Sequence, residues 1–234
     1  MKRLGDRLEV LKELSRTRSL RGEEMTNGCD FCLVKLRPDS DLSLGERTIS
    51  KLVIAREWAM PSHETFSIAP ITSLLRRYVK NSCNWIDPFA RDAQVAGLTN
   101  DINPNTKAQF HLDAFEFVRS MPADLEGVLF DPPYSLHQLK EVYNDLGRAI
   151  MKKEAQGTLW TNLKSELSSK IKMGGLAICF GWNSIGFGKT RGFELIEVLL
   201  VSHGRMHNDT IVTVERKIVH YNEGIRWKKR LGMN

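Results

Sequence analysis

The segment that most constrains the fold of this chain is residues 127–134, Gly-Val-Leu-Phe-Asp-Pro-Pro-Tyr. Its apolar run, bounded by a glycine and by prolines, predicts a short buried strand. Consecutive prolines lack backbone N–H groups and hold φ near about −65°, so the chain leaves this strand in a stiff, extended turn. Open α/β sheets bind ligands at the carboxyl ends of their strands. The segment therefore predicts a strand that delivers Asp131 and Tyr134 to a ligand site.

The side chains and carbonyl groups of this turn suit a flat heterocycle that carries an exocyclic amino group. Asp131 and the carbonyl oxygen of Pro132 can accept the two hydrogens of such a group, and Tyr134 can stack on the ring face. The competing interpretation is a proline-capped strand end with a partly buried tyrosine. These residues alone do not decide between the two.

Short apolar segments alternate with helical patterns along the chain. The patterns predict helices over residues 70–80, 104–109, 114–120, 137–153 and 158–172, and strands over residues 84–87, 98–102, 110–112, 127–130, 175–180, 193–203 and 210–216. This order predicts an α/β fold with a mostly parallel sheet and helices on both faces. We expect residues 61–220 to form this domain, residues 1–60 an arm packed on it, and residues 221–234 a basic tail.

Composition restricts the partners and the location. The chain has 234 residues, enough for a substantial core, and a net charge of +6 that favours a polyanionic partner. No apolar run approaches the about 18 residues that span a bilayer, so neither a membrane span nor a signal peptide is expected. Cys29 and Cys32 have metal-ligand spacing without a second pair, so a zinc site is a weak interpretation and no metal is expected. The scattered cysteines suit a reducing cytosol, which predicts a cytoplasmic protein.

Acidic residues stand at or just after the ends of the first predicted strands, namely Asp87, Asp101, Asp113 and Asp131. Because the carboxyl ends of parallel strands meet at one edge, we expect these carboxylates at one rim of the sheet. A carboxylate in the position of Asp101 can bind both hydroxyls of a ribose. A single aspartate is more often a helix cap or a turn former. The set, together with the proline turn, favours an enzyme.

Asp-Pro-Pro-Tyr is the signature of amino-group methyltransferases. Over about residues 60–217 the chain resembles the S-adenosylmethionine-dependent DNA adenine-N6 methyltransferases, most of all the compact enzymes that bacteriophages carry. The resemblance implies a Rossmann-like class I methyltransferase fold, a mostly parallel seven-stranded sheet with its last strand reversed. It also implies S-adenosyl-L-methionine as cofactor, double-stranded DNA as partner, and transfer to N6 of a flipped-out adenine.

The resemblance further implies roles for individual residues. The catalytic turn is Asp131, Pro132, Pro133 and Tyr134; the cofactor would be held by Phe66, Pro70, Asp87, Pro88, Phe89, Ala90, Asp101, Ile102, Asp113, Ala114 and Phe115; the target base would meet Trp182, Asn183, His207 and Asn208. In the family, a Phe-x-Gly-x-Gly loop cradles the methionine part of the cofactor. Here Phe89 is kept, but the glycines, which permit close backbone approach, are replaced.

Plainer interpretations stay open for several of these residues. Residues 65–71 also fit a hydrophobic staple that enters a proline-started helix, Trp182 fits a core tryptophan, and residues 207–209 fit a turn. Within the basic tail, residues 226–230 suit phosphate contact or a solvated end. The alternatives for function are an amino-group methyltransferase acting on RNA bases, including ribosomal RNA, and a catalytically silent relative that binds nucleic acid or a partner protein.

Overall fold

A computed structural model describes residues 52–133, 156–204 and 207–219 of the chain. The described strands are β1 (Val53–Trp58), β2 (Trp85–Asp87), β3 (Leu98–Thr99), β4 (Leu125–Phe130), β5 (Ile171–Gly181), β6 (Phe193–Ser202) and β7 (Thr210–Lys217). The described helices are α1 (Ala69–Tyr78), α2 (Ala114–Ser120) and α3 (Gln156–Lys170). None of these helices is long and apolar enough to cross a membrane.

The strands form one mixed sheet of seven strands in the order β1-β6-β7-β5-β4-β2-β3. β7 runs antiparallel to both of its neighbours, β5 and β6, while every other neighbouring pair is parallel. The expectation of a mostly parallel seven-stranded sheet with a reversed last strand is therefore confirmed.

The sheet is covered by helices on both faces, as the sequence predicts. Along β4, Leu129 joins one buried cluster with α1, whereas Val128 and Phe130 join a second cluster with α2 and α3. Ile71 and Leu74 of α1 are fully buried in the first cluster. A strand segment that is covered on both sides favours apolar residues at successive positions, which explains the apolar run of residues 128–130 in β4.

The structure corrects two predicted elements and the bounds of others: the strand predicted over residues 98–102 is Leu98–Thr99, and residues 171–172, predicted as helix, belong to β5. Residues 104–109 form turns rather than a helix, and the strand predicted over residues 110–112 is reduced to a single bridge between Asn100 and Phe110. Short polar side chains compete with helix formation here, because Asn103 Oδ1 accepts a hydrogen bond from the backbone N–H of Asn105 and Asp92 Oδ1 accepts one from Lys107.

The seventh strand of the sheet is instead β1, which pairs in parallel with β6 at one edge. Most of its side chains are exposed, so its pattern lacks the alternation by which a half-buried strand is recognised. The arm before residue 52, Tyr134, the helix expected over residues 137–153 and the basic tail lie outside the described residues, as do Cys29 and Cys32.

Candidate active site

A cleft of about 810 Å³ opens at the carboxyl ends of β2, β3 and β4. Of the residues predicted to bind the cofactor or the target base, those that line it are Phe66, Pro88, Phe89, Ala90, Asp101, Ile102, Asp113, Ala114, Phe115, Asp131, Pro132 and Pro133. The other described residues that line it are residues 62–65 before α1, Arg91, Ala93, Asn100, Asn103, Asn105, Thr106 and Leu112 of the loops after β2 and β3, and Leu159 and Trp160 of α3. Loops that are far apart in sequence thus share one cavity.

Other predicted site residues do not line this cleft. Pro70 is buried in the first turn of α1, and Asp87 is buried beneath the loop that follows β2, with 1% of its surface exposed. The side chains proposed to meet the target base, Trp182, Asn183, His207 and Asn208, are exposed in the connections after β5 and β6.

Asp87 supports the loop above it. Its Oδ1 accepts a hydrogen bond of 2.9 Å from the backbone N–H of Phe89, which fixes the turn through Pro88. Desolvation raises the pKa of Asp87 well above its ordinary value, against the effect of this hydrogen bond, and the negative charges of Asp131 and Asp101 raise it further. Asp87 therefore does not line the cleft but holds in place the loop after β2, which does.

Asn100, which was not among the predicted site residues, ties three loops of the cleft together. Its Nδ2 donates to the carbonyl oxygens of Pro88 and Leu112, both at 3.1 Å, and its Oδ1 accepts from the backbone N–H of Leu112 at 3.0 Å. The side chain is buried, with 1% of the residue exposed. The sequence signal that could have identified Asn100 is an asparagine at the end of a short predicted strand, because asparagine side chains often form hydrogen bonds with nearby backbone groups.

The carboxylate of Asp101 accepts two backbone hydrogen bonds, from Arg91 at 3.1 Å and from Asn103 at 2.8 Å. Burial nevertheless raises the pKa of Asp101, because desolvation outweighs these bonds and the nearby positive groups. Each carboxylate oxygen has two lone pairs, so further donors such as ribose hydroxyls can still be accepted.

Arg91 has a backbone conformation that usually belongs to glycine. Its φ is +50°, and counting from Phe89 it occupies the first glycine position of the Phe-x-Gly-x-Gly pattern. The hydrogen bond from its N–H to Asp101 stabilises this left-handed backbone, and its Nη1 donates to the carbonyl oxygen of His63 at 2.8 Å. The loop therefore keeps a glycine-like path although the glycine is absent.

Asp113 is the N-cap of α2 and also lines the cleft. Its Oδ1 accepts a hydrogen bond of 2.9 Å from the backbone N–H of Phe115, so the helix-cap interpretation of this aspartate is correct. Phe115 forms part of the wall, and the guanidinium of Arg119 lies 5.5 Å from its ring centroid. The cap fixes the carboxylate and the ring next to each other.

The Asp131-Pro132-Pro133 turn leaves β4 inside the sheet, between β2 and β5. Aromatic rings pack at its base: the centroid of Phe89 lies 5.6 Å from that of Phe130 and 5.3 Å from that of Trp160, both edge-to-face. Trp160 Nε1 is buried and has no hydrogen-bond partner among the residues that the structure describes. Trp160 was not among the predicted site residues, because one tryptophan in a helical pattern is usually a core residue.

The loop after β5 is held by charged groups. Lys164 of α3 donates to the carbonyl oxygens of Ile185 and Gly186 at 3.0 and 2.9 Å, and the buried carboxylate of Glu215 accepts from the backbone N–H groups of Phe187 and Gly188. Above these contacts Ile185 is 74% exposed and Trp182 44% exposed. The loop thus presents apolar side chains on a well-anchored backbone.

The side chains that line the cleft fit S-adenosylmethionine. Carboxylates are available for a ribose diol and an adenine amino group at Asp101 and Asp113, and Phe66, Phe89 and Phe115 supply apolar surface for flat or aliphatic parts. A volume of about 810 Å³ lies in the usual range for small-molecule sites.

No protein-family model and no curated protein sequence matches this chain. Among solved structures it matches TrmN from Thermus thermophilus, 16% identical over 64% of this chain and 49% of TrmN, with a TM-score of 0.42. It also matches NSun6 from Pyrococcus horikoshii, 13% identical over 62% of this chain and 51% of NSun6, with a TM-score of 0.42. A third match is the 1,6-didemethyltoxoflavin-N1-methyltransferase of Burkholderia thailandensis, 10% identical over 64% of this chain and 77% of that enzyme, with a TM-score of 0.42.

The chain therefore spans about half the length of TrmN and of NSun6. Since these TM-scores are low, the fold assignment rests on the strand order and the register of the sheet itself.

Proposed function

We propose that this protein transfers a methyl group from S-adenosylmethionine to N6 of adenine in DNA. The observation that carries the proposal is that the Asp131-Pro132-Pro133 turn opens into the same cleft as Asp101 and Asp113. A turn suited to an amino group therefore lies beside carboxylates suited to a nucleoside.

The cofactor would be held by the loops after β2 and β3 and by the start of α2. Asp101 accepts the ribose hydroxyls, Asp113 accepts the amino hydrogens of the adenine ring, and Phe115 covers that ring. Phe66 and Ala90 contact the methionine part. When bound, S-adenosylmethionine supplies an electrophilic methyl group on a positively charged sulfur.

The target base would be held by the proline turn. Asp131 and the carbonyl oxygen of Pro132 accept both amino hydrogens, which orients the nitrogen lone pair, and the Asp131 carboxylate can take up the proton that the nitrogen loses on transfer. Tyr134 stacks on the base. Because a stacked adenine cannot reach this turn, the nucleotide must be extruded from the duplex. The rate would then come from orientation and electrostatic fit.

DNA is favoured as the substrate by two properties of the chain. The net charge of +6 suits a polyanion, and the loop after β5 offers exposed Trp182 and Ile185 close to the carboxyl edge of the sheet. Aspartate as the first residue of the proline turn favours adenine, since serine takes this place in the cytosine-N4 enzymes that the sequence resembles less.

The decisive test is to incubate the purified protein with labelled S-adenosylmethionine and either duplex DNA or total RNA, and to analyse the digested nucleosides by mass spectrometry. We expect N6-methyladenine in DNA, and none with the Asp131→Asn variant, which keeps the shape of the side chain but not its charge. Methylated guanine in RNA would establish the RNA alternative. Cofactor binding by calorimetry without any product would indicate the silent relative, and absence of cofactor binding would overturn the proposal.

A further inference from the structure

We propose that Arg91 binds the α-carboxylate of the methionine part of the cofactor. This inference rests on the proposed function and adds a residue that the sequence pattern does not assign to the site. Three observations support it: the anchored backbone of Arg91, the direction of its side chain and the charge of the cleft.

The backbone at Arg91 is held in place by two hydrogen bonds. Its N–H donates to Asp101 Oδ2 at 3.1 Å, and the preceding residue, Ala90, donates its own N–H to the carbonyl oxygen of Asn100 at 2.8 Å. A φ of +50° is unfavourable for a residue with a Cβ atom, and glycine would adopt it freely. The loop has arginine at the position where the family pattern has glycine. Since glycine would fit this backbone better, the presence of arginine indicates a role for its side chain.

The side chain of Arg91 reaches across the cleft. Its Nη1 donates to the carbonyl oxygen of His63 at 2.8 Å, which brings the guanidinium to residues 62–66, the segment before α1. If Asp101 holds the ribose and Asp113 the adenine, the methionine part extends from the ribose towards Ala90 and Phe66. The guanidinium thus lies beside the part of the cleft that the amino-acid end of the cofactor would occupy.

The charge of the cleft leaves Arg91 as the partner for a carboxylate. Among the described residues that line it, Arg91 is the only lysine or arginine, whereas the acidic residues are Glu64, Asp101, Asp113 and Asp131. The acidic groups suit the ammonium and sulfonium groups of S-adenosylmethionine but repel its carboxylate. A guanidinium has five N–H donors in a planar fork that matches a carboxylate, and the contact with His63 uses one of them.

The experiment compares two ligands that differ only in the amino-acid part. S-adenosylhomocysteine carries the α-carboxylate, and 5′-methylthioadenosine lacks the amino-acid part while keeping the adenosine. Both are titrated by calorimetry into the wild-type full chain, into Arg91→Gly, which removes the side chain and suits the left-handed backbone, and into Arg91→Lys, which keeps the charge. Arg76→Ala is the matched control, because it removes a cation from an exposed position of α1 that does not line the cleft.

We expect Arg91→Gly to bind S-adenosylhomocysteine about tenfold more weakly, the order expected for losing a charge-assisted hydrogen bond, while its affinity for 5′-methylthioadenosine changes less than about twofold. Arg91→Lys should lie between wild type and Arg91→Gly, and Arg76→Ala should match wild type for both ligands. Thermal unfolding without ligand checks that each variant is folded.

Equal weakening of both ligands by Arg91→Gly would show that Arg91 acts only as a structural tie to His63, and unchanged affinities would show that it has no part in binding. Either result overturns the inference and leaves the proposed function standing. If the wild-type protein binds neither ligand, the proposed function fails, and this inference fails with it.

Discussion

At the scale of single residues, the polar side chains around the cleft serve the backbone first. Asp87 accepts an N–H of the loop that follows it, Asp113 accepts an N–H in the first turn of α2, and Asp101 accepts two backbone N–H groups. These bonds fix the carboxylates in place before any ligand binds, which reduces the reorganisation that binding would require. A single aspartate can therefore both stabilise a turn and bind a ligand.

Replacing Asn100 with alanine should destabilise the protein by about 2–3 kcal/mol, because the carbonyl oxygens of Pro88 and Leu112 and the N–H of Leu112 each lose a buried partner. Urea unfolding measures the loss. Asn105→Ala serves as the control, since Asn105 is exposed and no side-chain hydrogen bond of its own is found in this part of the structure. Equal stability of the two variants would contradict the role given to Asn100.

Replacing Asp87 with asparagine should flatten the pH dependence of stability. Because the pKa of Asp87 is raised in the folded state, the folded protein binds a proton that the unfolded chain has already released at pH values above the ordinary aspartate pKa. Stability from this group therefore falls as pH rises from that ordinary value to the raised one, and stays lower above it. Asparagine can still accept the hydrogen bond from Phe89, so Asp87→Asn should be at least as stable as wild type at pH 7.

Thermal unfolding of Asp87→Asn and wild type between about pH 4 and pH 8 tests this expectation, which rests on linkage between proton binding and folding. Glu116→Gln, at an exposed position of α2, is the control and should keep the wild-type profile. A larger loss of stability at pH 8 than at pH 4 in Asp87→Asn, relative to wild type, would show that the carboxylate is favoured in the fold.

At the scale of elements, the loop after β5 depends on a glycine. A Cβ atom at Gly186 would collide with the carboxylate of Glu215, which is itself buried and bonded to the backbone of Phe187 and Gly188. Gly186→Ala should therefore cost about 1–3 kcal/mol of stability and displace Ile185, as overpacking usually does. Calorimetric unfolding, together with the fluorescence of Trp182, reports both effects.

Gly181→Ala is the matched control for this loop. The nearest atom to a Cβ at Gly181 would be the backbone nitrogen of Asn183 at 3.9 Å, an ordinary contact distance. Similar destabilisation by both substitutions would show that the cost of alanine in this loop does not come from a collision with Glu215. If the loop contacts DNA, only Gly186→Ala should also weaken DNA binding.

The strands that the sequence predicted well are mostly buried, since β4, β6 and β7 are rich in apolar residues. The bounds of α2 were predicted correctly because Asp113 caps the helix and the helix is amphipathic. The helix predicted over residues 104–109 was wrong because asparagine and aspartate side chains bond the backbone N–H groups there. β1 was not predicted as a strand of the sheet, since its exposed side chains show no alternation of buried and exposed positions. The burial of its residues, more than their secondary-structure propensity, decided whether an element could be predicted from the sequence.

At the scale of the whole molecule, residues that meet in the cleft come from chain segments that only the sheet brings together. The order of strands and the chemistry of aspartate and proline were sufficient to predict which acidic loops share the carboxyl edge. The contributions of Arg91 and Asn100 depend on a left-handed backbone and on contacts between loops, which no local pattern in the sequence encodes. The sequence alone therefore predicts the acids of the candidate site better than the groups that position them.

DNA binding by the whole chain should depend on the basic segment of residues 226–230, an expectation that rests on the proposed function. If Arg226, Lys228, Lys229 and Arg230 meet phosphates, deleting residues 223–234 should weaken binding to duplex DNA and reduce the dependence of affinity on salt. Each lost phosphate contact lowers the slope of log K against log salt concentration by about 0.9, because fewer counterions are released. Sequence preference should change little, since phosphate contacts position a protein without reading bases.

Fluorescence-anisotropy titrations at several salt concentrations compare the wild-type chain, the deletion and a full-length variant in which these four cations are replaced by glutamine while Trp227 is kept. If the cations act through charge, the glutamine variant should show the same reduced slope as the deletion. A deletion that weakens binding more than the glutamine variant would assign the additional part to stacking by Trp227. An unchanged slope in both would exclude the tail from phosphate contact and direct the search to the exposed loop that carries Trp182 and Ile185.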